Sequence, residues 1–406
     1  MLTKTMKKIL KVDSYLKLPK AAKKEFHKDL LGLSGQDAGI NEATNEGIAW
    51  LCRAQDNSLS KDGGVARHYS LLSGWSTSYP ETTGYIIPTM LEYARFKVNG
   101  EIRQRAKRML DWLVSIQLPC GGFQGGLIDS KPVVPVTFNT GQILIGLASG
   151  VREFGDEYLE PMRRAADWLF KTQDADGCWR KHPTPFAAPG EKAYETHVAL
   201  GLLEAAQLEP NRGYAEAALR NVYWALGLQK ENGWFEKCCL NDSTQPLTHT
   251  LGYALRGILE TYNFTRDSAL FKASLKTAEG ILTNLKADGF LSGRFNSDWK
   301  GTAKWSCLTG SVQIAICCLL LYRYTGVFRY RDAAYSINRY VRRTMNVDGV
   351  PETRGGIKGS FPVYGPYGTY EYLNWACKFF VDSNMLEKTI RGREGNIPLS
   401  PPMEEK

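Results

Sequence analysis

Five residues of this 406-residue chain combine proton-moving chemistry with suggestive placement: Glu81, Glu195, His197, His249 and Tyr364. His197 and His249 each follow a threonine at the start of an apolar segment, in Glu195-Thr196-His197 and Thr248-His249-Thr250. Imidazole has the side-chain pKa nearest neutrality, so two of them meeting at one cavity can give and take a proton. Glu81 and Glu195 stand at similar openings, where a carboxylate is also stabilised by the helix dipole without catalysing anything. Tyr364 lies with Tyr367, Tyr370 and Glu371 in a glycine- and tyrosine-rich loop, Gly355 to Tyr372, that departs most from the pattern of the chain. Asn139, Trp179, Arg180, Trp234, Arg294 and Trp305 add an amide, cations and aromatic platforms suited to binding a polar substrate. Removing a proton beside a carboxylate requires that carboxylate to be neutralised, here by Arg294, Asn139 or a histidine. It also requires a base, for which Tyr364, His197 and His249 are candidates. A carboxylate pair drawn from Glu81, Glu195 and Glu371 would instead serve hydrolysis.

Residues so far apart in sequence need a scaffold that gathers them, and an internal repeat supplies one. Trp is followed five residues later by Gln at Trp50 and Gln55, Trp112 and Gln117, Trp168 and Gln173, and Trp224 and Gln229. A glycine turn follows each, and two further turns, Asp288-Gly289-Phe290 and Asp348-Gly349-Val350, keep the beat without the Trp and Gln. From Gly63 through Gly122, Gly177, Gly233 and Gly289 to Gly349 the steps are 59, 55, 56, 56 and 60, which makes six units. Midway through each, a Thr, Asn or Gly cluster such as Asn139-Thr140-Gly141-Gln142 opens an apolar segment, an N-cap signature. Each unit reads as a helix pair. One helix is amphipathic, as in Met162 to Gln173, and the other is apolar all round, as in Val198 to Ala206. Six pairs without a polar capping repeat predict a closed all-α (α/α)6 toroid, with apolar inner helices and the active-site mouth at their N-termini. The repeated Trp residues are expected to pack the outer helices, and the Gln residues to cap turns. The expected organisation is a basic arm over 1–38, one toroid domain over 39–382 and a C-terminal tail over 383–406.

The repeat is fullest in Asp167-Trp168-Leu169-Phe170-Lys171-Thr172-Gln173-Asp174-Ala175-Asp176-Gly177-Cys178-Trp179. Over roughly residues 40 to 380 the pattern resembles that of the terpenoid cyclase and protein prenyltransferase α/α-toroid superfamily. The resemblance implies the toroid and leaves the activity open. That superfamily also includes non-catalytic complement fragments, and similar barrels host carbohydrate-active enzymes. The Asp-x-Asp-Asp acid of class II terpene cyclases is absent. The zinc ligands of protein prenyltransferases are not reproduced either: Trp305 stands where an Asp should precede Cys307, and no His follows it. No metal and no cofactor are therefore expected.

The chain carries 51 Lys and Arg against 42 Asp and Glu, a net +9. Residues 1 to 24 hold eight lysines and one acid, Asp13, so that segment accounts for +7 and the remainder for only +2. A general affinity for nucleic acid is not expected. The arm, solvated or packed outside the ring, is the part suited to weak contact with an anionic membrane surface. No secretory signal is visible, and the longest apolar run, Val312 to Tyr322, reads as a buried helix. Nine cysteines, an odd number with no C-x-x-C, fit reduced cytoplasmic thiols.

The rim residues resemble a sugar-binding cleft more than a smooth carbocation-shielding wall. The sequence thus predicts a cytoplasmic carbohydrate-active enzyme of surface-polysaccharide biosynthesis with a small-molecule or oligosaccharide substrate. It would act on a uronate-containing saccharide by proton abstraction, as an epimerase or lyase, or by hydrolysis. Two alternatives stand beside it. One is an isoprenoid enzyme or binder, terpene cyclase-like or prenyltransferase-like, without the usual acid and zinc motifs. The other is a non-catalytic toroid scaffold.

Overall fold

The computed structural model describes residues 15–394. Helices α1 (Lys20–Leu30) and α2 (Ile40–Asp56) are followed by five inner and outer pairs. These are α3 (Pro80–Lys97) with α4 (Gly100–Ser115), α5 (Thr137–Phe154) with α6 (Leu159–Thr172), and α7 (Thr196–Leu208) with α8 (Tyr214–Leu226). Then come α9 (Thr248–Thr265) with α10 (Ser268–Leu282), α11 (Leu308–Thr325) with α12 (Phe328–Arg342), and finally α13 (Asn374–Glu394). Each inner helix packs against the next inner helix, α13 packs back onto α3, and α2 supplies the outer partner of α13. The result is a closed (α/α)6 toroid. Short strands in the loops that lead into the inner helices join the first unit to the last: β1 (His68–Ser70) pairs antiparallel with both β2 (Gly74–Trp75) and β5 (Glu371–Leu373). A second antiparallel pair joins β3 (Ser306–Cys307) to β4 (Ser360–Phe361).

The repeat residues explain how the pairs lock. Glycines 63, 121, 177, 233, 289 and 349 all adopt positive φ, which an L side chain rarely does. Gln55, Gln117 and Gln173 each donate from Nε2 to the carbonyl of their own turn glycine, at 2.9, 2.9 and 3.0 Å. They also donate to the next outer helix, at Arg105, Pro161 and Ala217. Gln229 reaches Ala273 at 2.9 Å in the same way. A side chain on Gly64, Gly122 or Gly356 would run into Trp112, Trp168 and Trp50 respectively, so each tryptophan lies on the glycine turn of a neighbouring unit. Trp50, Trp112 and Trp168 are buried, whereas Trp224 is half-buried. On the inner ring, a Cβ on Gly141 would lie 2.9 Å from the Val198 Cα, and one on Gly84 would lie 2.5 Å from the Ile143 Cα. Glycine therefore sets the spacing of the inner wall.

Two features qualify the expected boundaries. Helix α1, inside the stretch expected to be an arm, is bound to the ring. Lys358, fully buried, donates to Glu25 at 2.8 Å and Asp29 at 2.6 Å. Residue 382 falls within α13, which continues to Glu394. Residues 1–14 and 395–406, which include four of the arm's nine lysines and the end of the expected tail, lie outside the described residues. Helix α11 is long and apolar enough to cross a membrane by length and composition, and 83% of it is buried inside the ring.

Candidate active site

A cavity of about 210 Å³ opens at the N-terminal ends of the inner helices. Its floor follows from helix periodicity. Glu81 and Tyr85 are four residues apart on α3, and His249 and Tyr253 are four apart on α9, so each pair shares one helix face. Helices α3 and α9 are the first and fourth of six inner helices, diametrically opposed. The Tyr85 and Tyr253 hydroxyls meet across the axis at 3.3 Å. Glu81 and His249 stand one turn above that contact, on opposite sides of the cavity. Aromatic rings form the walls: Phe138 lies edge-on to Tyr253 and Tyr194, at 5.2 and 5.4 Å between centroids. Tyr367 tilts against His249 at 5.5 Å. Arg67 enters from the first loop, its guanidinium 5.0 Å from the centre of the Trp375 ring and 3.1 Å from Glu371 Oε2.

Burial sets the electrostatics. It pushes the Glu81 carboxyl up to about 7, against the opposing effects of the Tyr79 hydroxyl, which donates to Oε2 at 2.8 Å, and of Arg67. Burial lowers His249 to about 4, so its ring is neutral at physiological pH. Its Nδ1 faces the Gln313 amide oxygen at 2.8 Å and so carries the hydrogen, leaving Nε2 as the basic atom. Among the residues lining this cavity, Asn139 has a buried polar atom, Nδ2, without a protein partner. Such an orphan calls for a partner from outside the chain. The arrangement can hold an anionic, hydroxyl-rich ring and move a proton across it.

No protein-family model and no curated protein matches the sequence. Solved structures do match. An unsaturated glucuronyl hydrolase specific for heparin superposes with a TM-score of 0.69 at 16% identity, over 89% of this chain and 99% of its own. The unsaturated glucuronyl hydrolase of Bacillus sp. GL1, named as responsible for the degradation of glycosaminoglycan, gives 0.66 at 13% identity over 87% and 97%. A D-mannose isomerase gives 0.68 at 10% identity over 86% and 97%. At these identities the likeness shows the fold. The expected resemblance therefore holds at the level of the α/α toroid, and the narrower terpenoid cyclase and prenyltransferase likeness gains no support from these structures.

The structure gathers some of the residues expected from sequence and separates others. Glu81, His249, Asn139 and Tyr367 line the central cavity. His197 does not join His249 there; it lies beyond Tyr253, 4.6 Å ring to ring, and lines a separate cavity toward the C-terminal ends of the inner helices. The cause is its anchor, since His197 Nδ1 is held at 2.7 Å by Gln142 on the preceding inner helix, whereas His249 is held from the following one. Tyr364 is turned out: it is 39% exposed and packs on Phe26 at 4.9 Å, because Asp29 of α1 accepts the Val363 N–H and draws this loop outward. Glu195, Trp179 and Arg180 line a side cavity instead. Arg180 is neutralised there by Asp174, Asp176 and Glu191.

Trp234 is core, packed on Trp299 at 5.2 Å. Arg294 is turned to the Gln245 carbonyl, and Trp305 lies against Gly293, so neither lines the cavity. Tyr370 is buried beneath the first loop, where its carbonyl accepts from the Leu71 N–H at 2.9 Å. Glu371 is set behind Arg67, and with Glu195 also displaced, Glu81 is, among the described residues, the sole carboxylate lining the central cavity. Arg67, Tyr85, Phe138, Tyr194 and Trp375 were not anticipated. Arg67 lies four residues after its turn glycine, one position beyond the place that Gln124 and Arg180 hold three residues after theirs, so the repeat register does not point to it; Tyr85 is the helical i+4 neighbour of Glu81.

Proposed function

We propose that this protein is an enzyme that moves a proton on a uronate-containing saccharide held in the central cavity. The observation that carries the reading is an acid, Glu81, facing a neutral imidazole, His249, from the opposite inner helix above one aromatic floor. Arg67 takes the sugar carboxylate through charge-assisted hydrogen bonds, and Asn139 Nδ2 adds a donor. Neutralising that carboxylate makes the hydrogen on the adjacent carbon removable. His249 Nε2 takes this proton, and Glu81 delivers its own to the opposite face of the same carbon, which inverts it. Solvent then returns each group to its starting state. If a group on the neighbouring carbon departs with its bonding electrons before the second transfer, the outcome is elimination.

A second reading, hydrolysis, is favoured by the names of the matched unsaturated glucuronyl hydrolases. A lone carboxyl with a raised pKa suits protonation of an unsaturated sugar better than displacement by a carboxylate pair. The polar groups Arg67, Glu81, Asn139 and His249 weigh against an isoprenoid ligand, and a non-catalytic scaffold gives no reason for burying an acid and a base together. A biosynthetic setting gains no support from a neighbour named for degradation. We place the enzyme in the cytoplasm on its nine free cysteines, and take the expected unit 39–382, extended by α1 and the rest of α13 to Glu394, as its catalytic unit. Incubating the purified protein with saturated and unsaturated uronate oligosaccharides in deuterated water tests the reading. Deuterium on the carbon bearing the carboxylate reports epimerisation, a new double bond elimination, and cleavage hydrolysis. None of the three, alongside binding of a polyprenyl diphosphate, would transfer the site to isoprenoid chemistry.

A further inference from the structure

A side cavity of about 180 Å³ adjoins the central one, with Phe138, Thr184 and Tyr194 common to both linings. It lies between segment 183–192 and the 3-10 turn Ala193–Glu195 that leads into α7. By the roughly 10–15 Å³ that one water requires, it has room for on the order of ten atoms, the size of one sugar ring.

Arg180 and Glu191 in its lining are paired with each other, but Glu195 and Lys192 keep polar capacity unspent. Glu195 is 5% exposed, and its Oε2 has no hydrogen-bond partner. Burial raises the Glu195 carboxyl to about 8, against the pull of Lys192, so at neutral pH the group both donates and accepts. Lys192, 7% exposed, has one hydrogen-bond partner among the described residues, the Leu240 carbonyl at 3.3 Å. Two ammonium hydrogens therefore remain available. The Trp179 indole N–H is committed to the Leu169 carbonyl at 2.9 Å, so what this residue offers is ring surface. A carboxylic acid, an ammonium and an aromatic surface in one enclosed space recognise a hydroxyl-bearing ring rather than a hydrocarbon.

We infer that the side cavity is a second saccharide subsite, holding the sugar unit joined to the uronate in the central cavity, so that the substrate is at least a disaccharide. This rests on the central cavity being a saccharide site. Titration calorimetry with an unsaturated uronyl disaccharide and the corresponding free uronate tests it, using the wild type, Glu195→Leu, Glu195→Gln and Arg67→Ala. The wild type is expected to bind the disaccharide about tenfold more tightly than the free uronate. Glu195→Leu should bring that ratio close to one, while Glu195→Gln, which keeps a donor and an acceptor in the same shape, should retain the preference. A ratio near one in the wild type, or a ratio in Glu195→Leu equal to that of the wild type, overturns the subsite. Disaccharide affinity insensitive to Arg67→Ala rejects the central reading while leaving the ratio test of the side cavity intact. Binding of neither sugar rejects both.

Discussion

Glu81 and His249 are made into acid and base by burial alone, since neither faces a close charge strong enough to reverse its effect. With Glu81 protonated below about 7 and His249 neutral above about 4, kcat/KM on the cognate saccharide should be bell-shaped with limbs near those values. Glu81→Gln should cost on the order of 10²–10⁴-fold in kcat and erase the alkaline limb. A wild-type profile flat across that range would remove the pair from the mechanism. These two residues were legible in the sequence because the first turns of a closed ring converge on its axis. Their neighbours were less so. Thr196-His197 and Thr248-His249 read alike, yet the rings face different cavities because Gln142 and Gln313 hold them from opposite neighbours. No local pattern records which amide will reach which imidazole.

Glycine controls the approach of the inner helices, so its replacement should be felt where space is closed and not where it is open. A Cβ on Gly141 would lie 2.6 Å from Val198 Cγ1 and 2.9 Å from its Cα. Gly141→Ala is expected to destabilise the fold by about 1–3 kcal/mol, by thermal or urea unfolding followed by circular dichroism. Gly100, the first residue of α4, has no atom within 4 Å of its would-be Cβ and serves as the control. Gly100→Ala should be neutral or stabilise by up to roughly 1 kcal/mol. Equal melting of the two variants would contradict the packing argument. At this scale the sequence was nearly sufficient: Trp, Gln and glycine at fixed spacing marked every helix pair whose Gln now bridges its turn to the next outer helix. Loops were the exception. The segment Gly355 to Tyr372 was correctly singled out as irregular, but most of it serves to fasten α1, β1 and β3 rather than to meet a substrate.

Closure of the ring depends on contacts between residues some 300 positions apart, and the buried cluster of Lys358 with Glu25 and Asp29 is the most exposed to a single change. Lys358→Met leaves two carboxylates buried without their cation and should cost about 3–5 kcal/mol. An unfolding midpoint equal to that of the wild type would show that α1 is dispensable to closure. Stability should also depend on pH through the cavity groups. Glu81 and Glu195 hold their protons to about 7 and 8 when folded, against an ordinary 4.5, so the folded state binds more protons and stability falls as pH rises through that window. His249 and His68, lowered to about 4 from 6.5, act in reverse and cost stability as pH falls from 6.5 toward 4. The trends offset between 4.5 and 6.5 and leave a net loss from 6.5 to 8. The urea midpoint should drop over that last interval, and combining Glu81→Gln with Glu195→Gln should abolish the drop; a drop of the same size in the double variant would assign it elsewhere. By itself the sequence determined the ring, its six units and the end where the inner helices present their first turns, because helix period, turn glycines and repeat spacing are local properties. Which titratable groups share a cavity was decided by the tertiary structure, because that depends on side chains brought together from opposite helices and distant loops.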